Sequence, residues 1–250
     1  MVDVLLLNWN ELDVSKDSVR RLLKENVNII VVDNGSTDGS KEYFRSINDP
    51  KFRFIDLSYN MGSSVGRNIG LEASNGKYIF LLDGDILYVK GTIAEYQKIL
   101  DTLPDAFCVG HHSSIEFAKT GNNYNGTLDP IEADIRISTD YKIEKGVAMA
   151  WTQYGLFKGD LLRKVKFYDK GVFGKPGWGF EDNWLLKDMN KLGFESYSVD
   201  KPLYYHYAHS GIRELLKSEK NTQANSRQRK KEFEEKWIEK VCDININRLY

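Results

Sequence analysis

Short apolar runs alternate with amphipathic stretches through the first third of the chain, and this alternation constrains the fold more than any other feature. Val4 to Leu7, Ile29 to Val32, Phe52 to Leu57 and Tyr78 to Leu82 read as buried strands. Between them, Val14 to Lys24, Lys41 to Ile47 and Ser64 to Ser74 read as helices, with Ser36, Thr37 or Asp38 placed to cap the second. Strands alternating with helices imply βαβ units and a mainly parallel sheet, so the expected fold class is α/β. Such sheets bind ligands outside the carboxyl ends of their strands. Asp33 and Asp83 stand at two such ends and are expected to line one crevice.

The fourth strand runs directly into Asp83-Gly84-Asp85. In an extended chain residues i and i+2 point the same way, so the two carboxylates are expected to face one site. Gly84 removes the side chain between them and lets the backbone approach a ligand. Two carboxylates this close repel unless a cation lies nearby. Hard oxygen donors suit a divalent cation such as Mg²⁺ or Mn²⁺, which in turn suits a phosphate group.

Composition narrows the remaining classes. The 250 residues suit one domain with a small appendage, and a 41% hydrophobic content supports a sizeable core. A net charge of −1 argues against a uniformly basic nucleic-acid binder. Two cysteines far apart, Cys108 and Cys242, make no disulfide framework and suit a reducing compartment. The N-terminus lacks a basic region and a long apolar run, so no signal peptide is read there. No segment is long and apolar enough for a membrane span, and the cytoplasm is the expected location.

The second half is less regular. Residues 121–126 and the glycine-rich 171–179 read as loops, and 127–145 as a surface excursion. Arg229 to Val241 reads as a helix with Phe233, Trp237 and Val241 on one face. The expected organisation is a nucleotide-binding half over 1–110, an acceptor-binding half over 111–210 and a helical extension over 211–250.

Five motifs, in order, resemble family 2 glycosyltransferases of the GT-A fold. Asp33-Asn34-Gly35-Ser36-Thr37-Asp38 is similar to that family's nucleotide-binding turn. Asn60-Met61-Gly62, Gly66-Arg67-Asn68-Ile69-Gly70 and Gly76-Lys77-Tyr78-Ile79 resemble its next signature, and Asp83-Gly84-Asp85 its DxD motif. Gly177-Trp178-Gly179-Phe180-Glu181-Asp182 is similar to the acceptor-side motif of metazoan-type galactosyltransferases and polypeptide N-acetylgalactosaminyltransferases. His206 and His209 stand where such enzymes often place a metal-binding histidine.

The resemblance implies roles. Asn8, Asp33, Asn60, Arg67, Asp83 and Gly84 would bind a nucleotide-sugar donor, with Asp33 accepting from the base, typically uracil N3–H. Asp83 would hold the ribose or a metal-bound water. Asp85 would ligate Mn²⁺ or Mg²⁺, with His206 or His209 completing the shell. Arg67 would either add positive charge near the phosphates or hold the sheet edge. Asp182 would be the general base, with Glu181 its alternate, and Trp178 and Gly179 would contact the acceptor. The implied reaction is inverting, metal-dependent transfer of a sugar, from a UDP-sugar by preference, to a hydroxyl of a saccharide, a protein or DNA.

Blander readings exist for each residue. Asp33 and Asp38 suit turns and caps, Glu181 and Asp182 suit a helix N-terminus, and Trp178 and the histidines suit packing. Two other enzyme classes fit less well. A haloacid dehalogenase-type phosphatase or mutase also uses a strand-end DxD, but Gly159-Asp160 here runs into Leu161-Leu162-Arg163-Lys164 without its further acid. A sugar-nucleotide pyrophosphorylase would carry a basic glycine-rich loop where this chain has Asn8-Trp9-Asn10-Glu11. A non-catalytic nucleotide-sugar- or carbohydrate-binding module is opposed by intact Asp85 and Asp182. Finally, residues 217–231 carry Lys217, Lys220, Arg227, Arg229, Lys230 and Lys231 against Glu219. That run is either a solvated helix face or a surface for a polyanion, nucleic acid or an anionic membrane.

Overall fold

Strands buried on both faces read as apolar runs, and three of these, Val2–Asn8, Asn28–Asp33 and Tyr78–Asp83, lie at the centre of the molecule, whereas Phe52–Asp56, also read as buried, is an edge strand with no fully buried residue. A computed structural model describes residues 1–111, 115–116, 141–146, 151–167, 181–200 and 205–206. In chain order the elements are β1 (Val2–Asn8), α1 (Leu12–Leu22), β2 (Asn28–Asp33), α2 (Ser40–Arg45), β3 (Phe52–Asp56) and α3 (Ser63–Glu72). Then come β4 (Tyr78–Asp83), β5 (Ile86–Leu87), α4 (Thr92–Thr102), β6 (Ala106–His111), β7 (Ile115–Glu116) and β8 (Ile143–Lys145). The last are β9 (Tyr154–Lys158), α5 (Gly159–Val165), α6 (Glu181–Lys191), β10 (Glu195–Val199) and β11 (Tyr205–His206). The chain divides into two compact units, Met1–Ser210 and Gly211–Tyr250, and every described residue lies in the first.

The main sheet has eight strands in the order β3-β2-β1-β4-β9-β6-β10-β8. Strands β3, β2, β1 and β4 are mutually parallel, as the βαβ reading predicts. β9 then enters antiparallel to both β4 and β6, β10 returns parallel to β6, and β8 closes the edge antiparallel to β10. A second sheet, β5-β11-β7, sits apart from the first.

Alternate residues of each central strand feed two cores, so the sheet is the middle of three layers. Val4 and Leu6 of β1, with Phe80 and Leu82 of β4, pack against Val19 and Leu22 of α1, Phe44 of α2 and Tyr96 and Ile99 of α4. Leu5, Ile79 and Leu81 face the other way, against Leu71 of α3, Leu162 of α5 and Leu185 and Met189 of α6. In α1 the buried Val14, Ser18, Val19 and Leu22 follow helical spacing. In α3 the approach is closer, because a Cβ on Gly66 would lie 2.6 Å from Leu7 Cδ1 and one on Gly70 would lie 2.5 Å from Leu5 Cδ1.

Four sequence readings shift. Asp83 ends β4, and Gly84 and Asp85 form a turn, so the period-two argument for a shared side does not reach Asp85. The residue before α2 is Gly39, with φ of 92°, and not Ser36, Thr37 or Asp38. The described end of the 127–145 excursion is a strand, β8, held by the β10 ladder. Strands β6, β9 and β10 and helices α4 and α5 go unmarked in the sequence reading, and of α6 only the start, at Glu181 and Asp182, is read. The loops at 121–126 and 171–179, the helix at 229–241, and Cys242 lie outside the described residues.

Candidate active site

Parallel register brings the carboxyl ends of β2, β1 and β4 side by side. Asn8 pairs with Asp33, and Leu7 pairs with Asp83, so the two expected strand-end acids flank the end of β1. The two acids therefore stand on either side of the end of β1, with Asn8 between them.

On the β2 side, a pair of loops is laced together. Asn8 Nδ2 donates to Asp33 Oδ2 at 2.8 Å and to Ser36 Oγ at 3.2 Å. Ser36 N donates to Asp33 Oδ1 at 2.8 Å, so both carboxylate oxygens are engaged. The Asn10 amide donates to Ser36 Oγ, and Thr37 N donates to Asn10 Oδ1 at 2.7 Å. Asp38 accepts from Leu12 N at the start of α1 and from Ser40 N at the start of α2. Asp33 has no exposed surface. In this arrangement its carboxylate fixes the turn that walls the crevice rather than lying open to a ligand.

Asn34 and Asn60 join that wall to the entry of α3. Asn34 Nδ2 donates to Asn60 Oδ1 at 2.9 Å, Met61 N donates to Asn34 Oδ1, and Gly62 N donates to Asn60 Oδ1. Gly35 is required here. Its φ is +82°, and a Cβ would lie 2.5 Å from the Tyr59 backbone.

On the other side, Arg67 is 3% exposed and its Nη2 donates to Asp83 Oδ1 at 2.7 Å. Of the two roles left open for Arg67, the structure shows the ion pair at the end of β4. Asp85, half-buried, lies in the turn just past it. Gly84 makes that turn possible, since a Cβ would lie 2.9 Å from Asn8 Oδ1 and 3.2 Å from the Leu7 carbonyl. Asn8 Oδ1 itself is buried without a hydrogen-bond partner.

The small sheet adds a distant residue. His206 of β11 pairs with Ile86 of β5, the residue after Asp85, so the backbone places this histidine beside the acidic turn. The carboxylate oxygens of the acidic turn are hard donors that fit Mn²⁺ or Mg²⁺. Among the described residues no three His, Cys, Asp or Glu side chains gather as a complete cation cage. Glu181 and the half-buried Asp182 open α6, which is seated by Leu185 and Met189. Trp178, Gly179 and His209 lie outside the described residues, as does the 217–231 run. Sequence reasoning misses Ser36 and Asn10 as parts of the wall. A serine three residues after a strand-end aspartate is the turn signal that marks the first.

Residues 3–166 match the model of the family described as glycosyl transferase family 2. An uncharacterised glycosyltransferase of Haemophilus influenzae is 24% identical over all of this chain and 82% of its own length. Among solved structures, S. aureus TarS in complex with UDP-GlcNAc superposes with a TM-score of 0.58 at 16% identity, over 84% of this chain and 59% of that one. A mannosyltransferase from Pyrobaculum calidifontis in complex with GDP-Man and Mn²⁺ gives 0.57 at 17% identity, over 82% and 56%. The chain thus spans little more than half of either solved structure, and at such identities the likeness is one of fold.

Proposed function

The chain belongs to glycosyl transferase family 2, and from that premise we propose that it moves a sugar from a nucleoside diphosphate-sugar to an acceptor hydroxyl. The observation that carries this reading is the side-by-side ends of β2, β1 and β4, with a hydrogen-bonded polar turn at Asp33–Asp38 and an acidic turn at Asp83–Asp85. The wall offers a shaped seat for the nucleoside. The acidic turn lies where a diphosphate would follow.

A UDP-sugar is the favoured donor, in keeping with the UDP-GlcNAc complex of the TarS structure. Arg67 pairs with Asp83 at the end of β4, and Asp85 in the turn beyond it, with His206 close by along the backbone, would hold a divalent cation at the donor's diphosphate. Such a cation supplies neutralising charge as the nucleoside diphosphate leaves. Asp182, at the start of α6, takes the proton of the acceptor hydroxyl as its oxygen attacks the anomeric carbon. Direct attack opposite the leaving group inverts that centre. The acceptor is a saccharide, protein or nucleobase hydroxyl, and a polyanionic acceptor would find complementary charge in residues 217–231.

Calorimetry with UDP decides the donor side. Binding is expected to be strong with Mn²⁺ and much weaker with EDTA, and Asp85→Asn should abolish the difference. Equal affinity with and without metal would reject the cation bridge. A hydrolysis screen of UDP-GlcNAc against GDP-Man identifies the base, and a preference for GDP-Man would reject the uridine assignment. Proton NMR of the first-formed glycosidic linkage reads the anomeric outcome, and retention would reject both inversion and Asp182 as base.

A further inference from the structure

Serine is an uncommon choice for the buried face of an amphipathic helix, yet α1 carries Ser15 and Ser18 there with no exposed surface. Ser15 does what a helical serine ordinarily does, donating to the Glu11 carbonyl one turn back at 2.7 Å. Ser18 does not turn back. Its Oγ donates to the Ile86 carbonyl at 2.8 Å and accepts from the Tyr88 amide at 2.9 Å. In an extended chain the C=O of one residue and the N–H two residues on point to the same side. The hydroxyl therefore takes the place that a neighbouring strand would fill along this edge of β5.

The segment so held begins directly after Asp85. Upstream, the Asp83 amide donates to the Gln153 carbonyl at 2.9 Å and the Gly84 amide donates to the Leu7 carbonyl at 2.8 Å. Downstream, Ser18 holds Ile86 and Tyr88. Beyond them the Val89 amide donates to the Tyr154 hydroxyl at 3.2 Å, and the Gly91 amide donates to Glu25 Oε1 at 3.3 Å. Ile86, Leu87 and Tyr88 have no exposed surface. Asp85 thus stands between two fixed pieces of backbone, Gly84 on the end of β1 and Ile86 on the hydroxyl of α1. The same strand, β5, pairs with β11, which carries His206.

We propose that Ser18 is a positioning residue for the acidic turn, fixing the backbone after Asp85 so that its carboxylate is held ready for the divalent cation. This rests on the reading of Asp85 as a cation ligand. A carboxylate fixed by backbone on both sides ligates with little further ordering, whereas a loosened turn must be ordered when the ion binds. Removing the hydroxyl leaves the buried Ile86 carbonyl and Tyr88 amide without this partner, and the strand relieves that by moving away from α1. The loss falls on the cation side. The hydrogen bonds among Asn8, Asp33 and Ser36 involve neither Ser18 nor β5.

The test is Ser18→Ala with two companions. Ser18→Cys keeps nearly the shape of serine with a weaker donor and acceptor, and it carries the test if Ser18→Ala does not fold. Ser15→Ala removes a buried hydroxyl from the same helix without touching β5. Hydrogen exchange in Ser18→Ala should speed up in peptides covering 84–89 and stay at the wild-type rate in β2. Mn²⁺ is titrated with and without UDP, and the EPR signal of the free ion gives its affinity. Ser18→Ala should weaken Mn²⁺ binding about tenfold, equivalent to ~1.4 kcal/mol. Ser18→Cys should weaken it less, and Ser15→Ala not at all. UDP affinity in EDTA should be the same in all four proteins. The proposal is overturned by wild-type exchange at 84–89 or unchanged Mn²⁺ affinity in Ser18→Ala, by an equal loss in Ser15→Ala, or by metal-free UDP affinity falling as far as Mn²⁺ affinity. A wild-type protein that binds Mn²⁺ in neither titration rejects the cation reading instead, and the exchange measurement then decides by itself whether Ser18 fixes the turn.

Discussion

Asn8 shows how much one buried amide organises. Its nitrogen bridges Asp33 and Ser36, while its oxygen, unpaired, leaves Gly84 as the only residue type that fits opposite. The acids around it divide by task. Asp33 and Asp83 are held by Ser36, Asn8 and Arg67, and Asp182, the proposed base, stands at the first turn of α6. Asp182→Asn should leave UDP affinity near wild type and lower turnover by ~10²-fold or more, as loss of a general base does. Turnover within a few-fold of wild type would transfer the role to Glu181. Far from the crevice, the Tyr141 hydroxyl donates to Glu95 at 2.6 Å and, with Lys98, holds that carboxyl below the usual glutamate range. A depressed folded pKa contributes stability above the ordinary glutamate value of about 4.3 and loses it as pH falls through the folded value. Tyr141→Phe should therefore cost about 0.5–1.5 kcal/mol at pH 7. In denaturant titrations the gap between variant and wild type should close in acid, and a gap that persists there would show that the loss is one of packing.

Elements differ in how openly the sequence declares them. The strands β1, β2 and β4 were legible because burial on both faces leaves an apolar run, and Asp33 and Asp83 were legible as strand-end acids for the same reason. Strands β6, β9 and β10 carry Gly110, Gly155 and Ser196 to Ser198, which break that signal. A tertiary reason explains two of these: a Cβ on Gly110 would lie 2.1 Å from Trp151, and one on Gly155 2.6 Å from the Trp151 carbonyl. Those glycines make room for an indole that donates to the Tyr197 carbonyl at 3.0 Å, a partner no local pattern reveals. The pairing of His206 with Ile86 is equally silent, since it joins two-residue strands far apart in the chain. The glycines of α3 belong to the same class and make a measurable claim. Gly70→Ala should destabilise by about 1–3 kcal/mol through overpacking on Leu5. Leu5→Val in the same chain should restore part of it, a coupling that a double-mutant cycle reads directly. Additive losses would place the strain elsewhere.

At the scale of the whole molecule, the sheet separates two cores, and Cys108 reports on one of them. It is buried among Phe107, Phe157 and Trp151, and that burial pushes its thiol well above the ordinary range. In a Cys242→Ser background, Cys108 should react with a thiol reagent only through opening of the sheet, at a rate that rises with denaturant in step with global unfolding. Fast labelling in buffer alone would reveal a local opening around β6. The three-layer arrangement also makes the residues of the donor wall neighbours along the chain as well as in space. Asn8, Asp33 and Asn60 lie within three consecutive βαβ turns, and closing those loops is entropically cheap. The small sheet is different, because residue 86 must wait for residue 205 before β5 and β11 can pair. Contacts of such separation form late. A refolding chain should therefore regain its proposed nucleoside seat first and its proposed metal-side lip last, and on that reading it passes through a stage at which it can recognise a base before it can release a sugar.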